Sequence, residues 1–179
     1  MVYVLLGTGF EEVEAIAPVD LLRRAGIPVL TVGVDGKSVS GSHGITVEAD
    51  ITLEQLDLTD LEMIVLPGGL GGVATARSSQ PALDALRFAY ENDKYVAAIC
   101  AGPTVLAELG IIGARKATCY PGCERGMAEA TMQEVACVTD GKLITGASAG
   151  CAISFGLTLI EALKGSQEAK RIEKQIVIR

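Results

Sequence analysis

Cys100 closes an uncharged run, Val96-Ala97-Ala98-Ile99, and is followed at once by Ala101-Gly102-Pro103-Thr104. Such an apolar run reads as a buried parallel strand. Proline suits the first turn of a helix, where its fixed φ is preorganised and its missing N–H would have no partner anyway. The sequence therefore predicts a sharp strand-to-helix turn at Cys100, a nucleophile elbow that lifts the side chain out of the carboxyl edge of a sheet. Helix N–H groups at that place favour thiolate and are expected to lower the thiol pKa. A thiolate that attacks a carbonyl also needs an oxyanion site and a proton shuttle. Backbone N–H groups at Gly69 and Ala101 can supply the first, since glycine at 69 lets a ligand oxygen approach the main chain. Glu14 can supply the second if burial raises its pKa. Each has a plainer reading. Free cysteine commonly only packs, Gly68-Gly69 can be a simple turn, and Glu11 and Glu12 can simply favour a helix N-terminus. Glu14 lies one residue past Val13 and two before Ile16, so it is expected to flank a buried stripe.

The elements that must position these groups follow from periodicity. Val2–Leu6 reads as a buried strand, Gly7-Thr8-Gly9 as a turn, and residues 10–25 as a helix stopped by Gly26. Val13, Ile16, Ala17 and Leu21 mark the expected buried stripe of that helix. The Gly-x-Gly is not a dinucleotide fingerprint, because Glu12 stands where a third glycine belongs. Strands are expected at 28–34, Met63–Leu66, Tyr95–Ile99, 116–120, 134–139 and 143–145. A hairpin is expected from 37–41 with 45–49, and helices at 53–56, Gln80–Glu91, 103–109, 152–163 and 167–175; 176–178 is expected to pack back on the body. Strands and helices alternate throughout, which predicts one α/β domain over 1–179 with a mainly parallel sheet between helical layers. Ligands of such sheets bind outside the carboxyl ends of the strands. Residues 7–14, 67–72 and 100–104 meet there.

Bulk composition narrows the classes. Hydrophobic residues make up 49% of the 179 positions, aromatics only 4%, and Trp is absent, so small aliphatics must fill a large core. A net charge of −7 argues against nucleic acid, whose phosphates call for Lys and Arg. No apolar run approaches the ~20 residues of a membrane span, and the N-terminus lacks a basic leader. Five cysteines without framework spacing point to a reduced, cytoplasmic protein. Cys119 and Cys123 lack the second pair that a structural zinc site needs. Cys119 is instead a candidate resolving thiol for Cys100, Cys137 reads as core, and Cys151 is open. The one histidine, His43, lies in the expected hairpin, far from the elbow in sequence; it is read as a solvated loop residue.

Together, Glu11-Glu12-Val13-Glu14, Pro18-Val19-Asp20, Arg23-Arg24-Ala25-Gly26, Leu66-Pro67-Gly68-Gly69 and Ala97-Ala98-Ile99-Cys100-Ala101-Gly102-Pro103-Thr104 resemble the ThiJ/PfpI superfamily, in its parkinsonism-associated and bacterial ThiJ-type branch. The resemblance implies a flavodoxin-like three-layer α/β/α sandwich, usually a homodimer. It implies Cys100 as nucleophile and oxidation-sensitive thiol, Glu14 hydrogen-bonded to its sulfur, and Gly69 and Ala101 as oxyanion N–H donors. Two positions depart from the branch. Tyr120 stands where a histidine is frequent near the sulfur, and Ala147 where some members carry arginine; both place weight on Glu14. Ala101 stands where related proteases carry a histidine beside the cysteine, so a Cys–His pair would have to use His43. The implied function is a cofactor-free, glutathione-independent glyoxalase or deglycase acting on small α-oxoaldehydes or glycated side chains. The alternative is an oxidative-stress sensor or chaperone-like protector acting through oxidation of Cys100.

Overall fold

The computed structural model describes residues 1–178; Arg179 lies outside them. In chain order the regular elements are β1 (Val2–Leu6), α1 (Glu12–Arg24), β2 (Val29–Gly33), β3 (Ser38–Ser40), β4 (Thr46–Glu48), β5 (Ile51–Thr52), β6 (Met63–Leu66), α2 (Leu70–Ser78), α3 (Gln80–Glu91), β7 (Tyr95–Ile99), α4 (Pro103–Glu108), β8 (Lys116–Ala117), β9 (Thr131–Met132), β10 (Cys137–Asp140), β11 (Leu143–Gly146), α5 (Ala152–Lys164) and α6 (Ser166–Gln175). Seven strands form the central sheet in the order β10-β11-β7-β6-β1-β2-β5. Every pairing is parallel except β10 with β11, whose hairpin turns at Gly141 with φ +63°. The expected flavodoxin-like sandwich is therefore present.

Alternation along the strands builds the two cores. Val2, Val4, Leu6, Met63, Val65, Ala97 and Ile99 face one layer, where Leu22, Phe155, Leu159 and Ile172 from α1, α5 and α6 meet them. Tyr3, Leu5, Ile64, Leu66, Val96 and Ala98 face the other, packed by Val73, Leu86 and Val105 from α2, α3 and α4. Helices α1 and α5 approach closely at Gly156, where a Cβ would fall 2.6 Å from Leu21 Cδ1.

Four expectations change. The buried face of α1 is Glu12, Glu14, Ala15, Pro18, Val19, Leu21 and Leu22; Leu21 of the expected stripe is buried, while Val13 and Ile16 are exposed. Sheet and α5 both press on α1, so its buried arc is turned away from the Val13–Ile16 stripe. The expected strand at 116–120 pairs only through Lys116–Ala117, and with β9, which the periodicity did not mark. From Thr118 on its backbone bonds elsewhere: Thr118 N–H donates to Thr145 Oγ1 and Tyr120 N–H to the Cys100 carbonyl, each at 2.9 Å. Helix α2 was likewise unmarked, because Gly71 and Gly72 in its first turn read as loop. At the C-terminus Ile176 packs on the core, but Val177 and Ile178 are exposed. Among the described residues no helix is long and apolar enough to cross a membrane.

Candidate active site

Cys100 follows β7 directly and has φ +64°, a left-handed conformation that non-glycine residues seldom adopt without external constraint. The constraints are visible. Its N–H donates to Gly146 O at the end of β11, and its carbonyl accepts from Tyr120 N–H, both at 2.9 Å. Gly102 lets the turn close against β6, since a Cβ there would fall 2.8 Å from Leu66 O. Pro103 then opens α4. The elbow is present as expected.

Glu14 reaches this turn from α1. It is fully buried. Its Oε2 accepts the Gly68 N–H at 2.9 Å, and its Oε1 has no hydrogen-bond partner within the protein. Gly68 lies over both side chains; a Cβ there would fall on Glu14 Oε2 and 2.6 Å from Cys100 Cβ. Burial pushes the Glu14 carboxyl up to about 7. Its interaction with Cys100 and the Gly68 N–H pull the other way, and the Glu11 charge adds to the rise. The charge that Glu14 carries when ionised therefore sits against the thiol.

The expected drop in the Cys100 pKa is overturned. Burial first, then the charge and hydrogen bond of Glu14, push the thiol up to about 12. The Ala101 and Gly69 N–H groups both point at the sulfur and oppose the rise, but only partly. Helix α4 spans six residues, too short to contribute more than its first N–H groups. Gly69 has φ +84° at the N-cap of α2 and its Cβ would fall on Gly9 O, so glycine is required for its N–H to face the sulfur.

A pocket of about 540 Å³ opens above the sulfur, lined by Gly69, Ala101, Tyr120, Cys123, Leu70, Glu11, Ser42 and His43 among others. Tyr120 is half exposed at its wall. All five residues singled out in the sequence, Cys100, Glu14, Gly69, Ala101 and Tyr120, thus converge on one place. Cys119 does not line this pocket; it is buried beside a separate cavity of about 590 Å³ with Cys151 and Ala147. The thiol that shares the Cys100 pocket is Cys123.

His43, expected as a solvated loop residue, lines this pocket, and Glu12, expected only to favour the helix start, holds it there. Glu12 Oε1 accepts the backbone N–H of His43 at 2.7 Å and of Ile45 at 3.3 Å, and Oε2 lies 3.1 Å from His43 Nδ1. Burial raises the Glu12 carboxyl, but hydrogen bonds from its own N–H, from His43 and from Ile45 outweigh it and bring it down to about 2. Ligand atoms of Glu11, Glu12 and His43 lie within 4.8 Å of one another, but both Glu12 oxygens and Nδ1 are already engaged among themselves and with the backbone.

Residues 1–162 match the model of the DJ-1/PfpI family. The chain belongs to the DJ-1/PfpI family. It is 35% identical to Protein dj-1beta of Drosophila melanogaster over 178 residues, covering 98% of this chain and 95% of that one. The crystal structure of Drosophila DJ-1beta superposes with a TM-score of 0.95, covering 99% and 97% of the two chains. The oxidized DJ-1 of Toxoplasma gondii superposes with a TM-score of 0.93 at 32% identity, covering 98% and 97%. Deglycase PH1704 of Pyrococcus horikoshii is 31% identical over 143 residues, 79% of this chain and 86% of that one.

Proposed function

We propose that this DJ-1/PfpI member acts through Cys100 on small α-oxoaldehydes such as methylglyoxal, or on their early adducts with amines. The observation that carries the reading is the buried Glu14 carboxyl, raised to about 7, with one oxygen unpartnered beside a strained cysteine that faces two N–H donors. Glu14 takes the thiol proton as sulfur bonds to the aldehyde carbon. It passes that proton to the new alkoxide, which the Gly69 and Ala101 N–H groups stabilise. It then removes the carbon-bound proton and returns it to the neighbouring carbon. The aldehyde carbon is thereby oxidised to a thioester while the adjacent ketone is reduced to an alcohol, the hydroxyl proton of the sulfur adduct passing to the keto oxygen. Water adds to the thioester, and the thiol leaves with a proton, releasing a 2-hydroxy acid. On a glycated amine, sulfur bonds to the carbinolamine carbon as its C–N bond breaks, the amine leaves with the thiol proton carried by Glu14, and the later steps are the same; the deglycase among the relatives supports that branch. No cofactor is required.

The test is lactate formed from methylglyoxal without glutathione, by the wild type and by Cys100→Ala. Turnover by the wild type that the variant loses is expected. If neither exceeds buffer, the sensor reading takes its place. An oxidized relative of the same fold favours that second reading, and Glu14 would then hydrogen-bond a Cys100 sulfinate.

A further inference from the structure

His43 is the only histidine of the chain, and none of the steps above uses it. The β3–β4 hairpin carries it to the rim of the Cys100 pocket. The hairpin tip is tied down there. Gly9 N–H donates to Ser40 O at 2.7 Å and Ser42 N–H to Phe10 O at 2.8 Å. Glu12, almost fully buried, receives the N–H groups of His43 and Ile45 and engages Nδ1. Gly41 makes room for this, since a Cβ there would fall on the Glu12 carboxyl. With Nδ1 against Ser42 Oγ at 3.0 Å and Glu12 Oε2 at 3.1 Å, Nε2 has no hydrogen-bond partner among the described residues, on a ring whose side chain is 69% exposed. A carboxylate behind one imidazole nitrogen fixes the ring and supports its charged form, leaving the other nitrogen to act.

We propose that His43 is a second acid of the site, held by Glu12, whose Nε2–H hydrogen-bonds the keto oxygen of an α-oxoaldehyde while Cys100 holds the aldehyde carbon. This rests on the carbonyl chemistry proposed above. Glu14 works beside the sulfur, buried beneath the pocket, and His43 works from the rim. As the carbon-bound proton moves to Glu14, His43 gives its proton to the keto oxygen, forming an enediol. As the thioester forms, His43 recovers a proton from the oxygen of the former aldehyde, so both residues end as they began. The groups facing His43 are Glu11 and Glu12 from α1, with Cys100, Tyr120 and Cys123 lining the pocket. The Glu12 hydrogen bond, then the charges of Glu11 and Glu12, raise the His43 pKa above its ordinary 6.5. It therefore keeps its proton further into neutral pH than a free imidazole, and loses it on the alkaline side.

Two measurements test this. In the wild type, kcat for methylglyoxal should fall on the alkaline side as His43 loses its proton. His43→Gln should lower kcat by roughly ten- to a hundredfold and abolish that limb, and Glu12→Gln should move the limb to lower pH. His43→Gln with the wild-type kcat and an unchanged alkaline limb would overturn the proposal. The second measurement needs no turnover. The single imidazole gives one Hε1 proton NMR resonance, followed in the Cys100→Ser protein while hydroxyacetone, an unreactive ketone, is added. A saturable shift that Glu12→Gln weakens is expected; no shift at any ketone concentration would overturn the proposal, whatever the turnover. A wild type that makes no lactate would instead strike the reading of Cys100, and the titration would still decide the contact at His43.

Discussion

Glu14 and Cys100 are close enough that their protons cannot be assigned independently. Between about 7 and about 12 the pair carries one negative charge. That charge can sit as a carboxylate beside a thiol or as a thiolate beside a carboxylic acid. The two forms differ only in which atom holds the proton, so the nucleophile can be unmasked without a net change of charge in a buried place. Gly68 keeps the two groups in contact, because its Cβ would displace both. Gly68→Ala should lower lactate formation and cost about 1–3 kcal/mol of stability, the usual range for an overpacked site. Denaturant unfolding and the lactate assay check this together; wild-type values in both would show that the site has slack. The elbow at Cys100 was legible in the sequence, since an apolar strand, small residues and Pro103 fix it locally; the direction of its pKa shift was not. The depth of Glu14 was not. It depends on which arc of α1 faces the sheet and α5, and the exposed Val13 and Ile16 misdirect any reading of helical phase from apolarity alone.

At the scale of elements, the site is where three chain segments meet at the carboxyl edge of the sheet. β7 delivers the elbow, the loop after β6 delivers Gly68 and Gly69, and α1 delivers Glu14. Glu11 N–H donates to Gly68 O at 3.0 Å and joins two of them. Phe155 of α5 is fully buried behind the elbow; a Cβ on Gly146 would fall 2.9 Å from both Phe155 and Ile99. Phe155→Ala should cost about 3–5 kcal/mol in denaturant unfolding, and a loss below about 1 kcal/mol would mean that α5 does not brace the elbow as described. The strands β1, β6 and β7 were legible because each is an apolar run between turn signals. Helix α2 was hidden by its glycines, which the fold needs for contact rather than for turning: a Cβ on Gly72 would fall 2.6 Å from Phe10 Cα. The clamp of Glu12 on His43 joins residues 31 apart through a hairpin tip, and no local pattern announces such a contact.

For the whole molecule, the buried carboxyl leaves a signature in stability. Glu14 has an ordinary pKa of 4.5 when unfolded and about 7 when folded. The folded state thus holds the proton more tightly, and its contribution is complete below 4.5 and lost as pH rises through about 7. The difference corresponds to on the order of 3 kcal/mol. Glu12 acts in another window, stabilising above 4.5 and failing only as pH falls toward about 2. His43 loses its contribution on the same side as Glu14, so the comparison must isolate Glu14. Unfolding free energy should decline between pH 5 and 8 in the wild type and decline less in Glu14→Gln. Parallel curves for the two proteins would show that Glu14 is not raised. The central claim is that this same carboxyl moves the protons of the reaction, and its most direct test is the rate of lactate formation by Glu14→Gln at neutral pH. The account predicts a fall of roughly a hundredfold or more in a protein that keeps its fold. Wild-type turnover in that variant would contradict it.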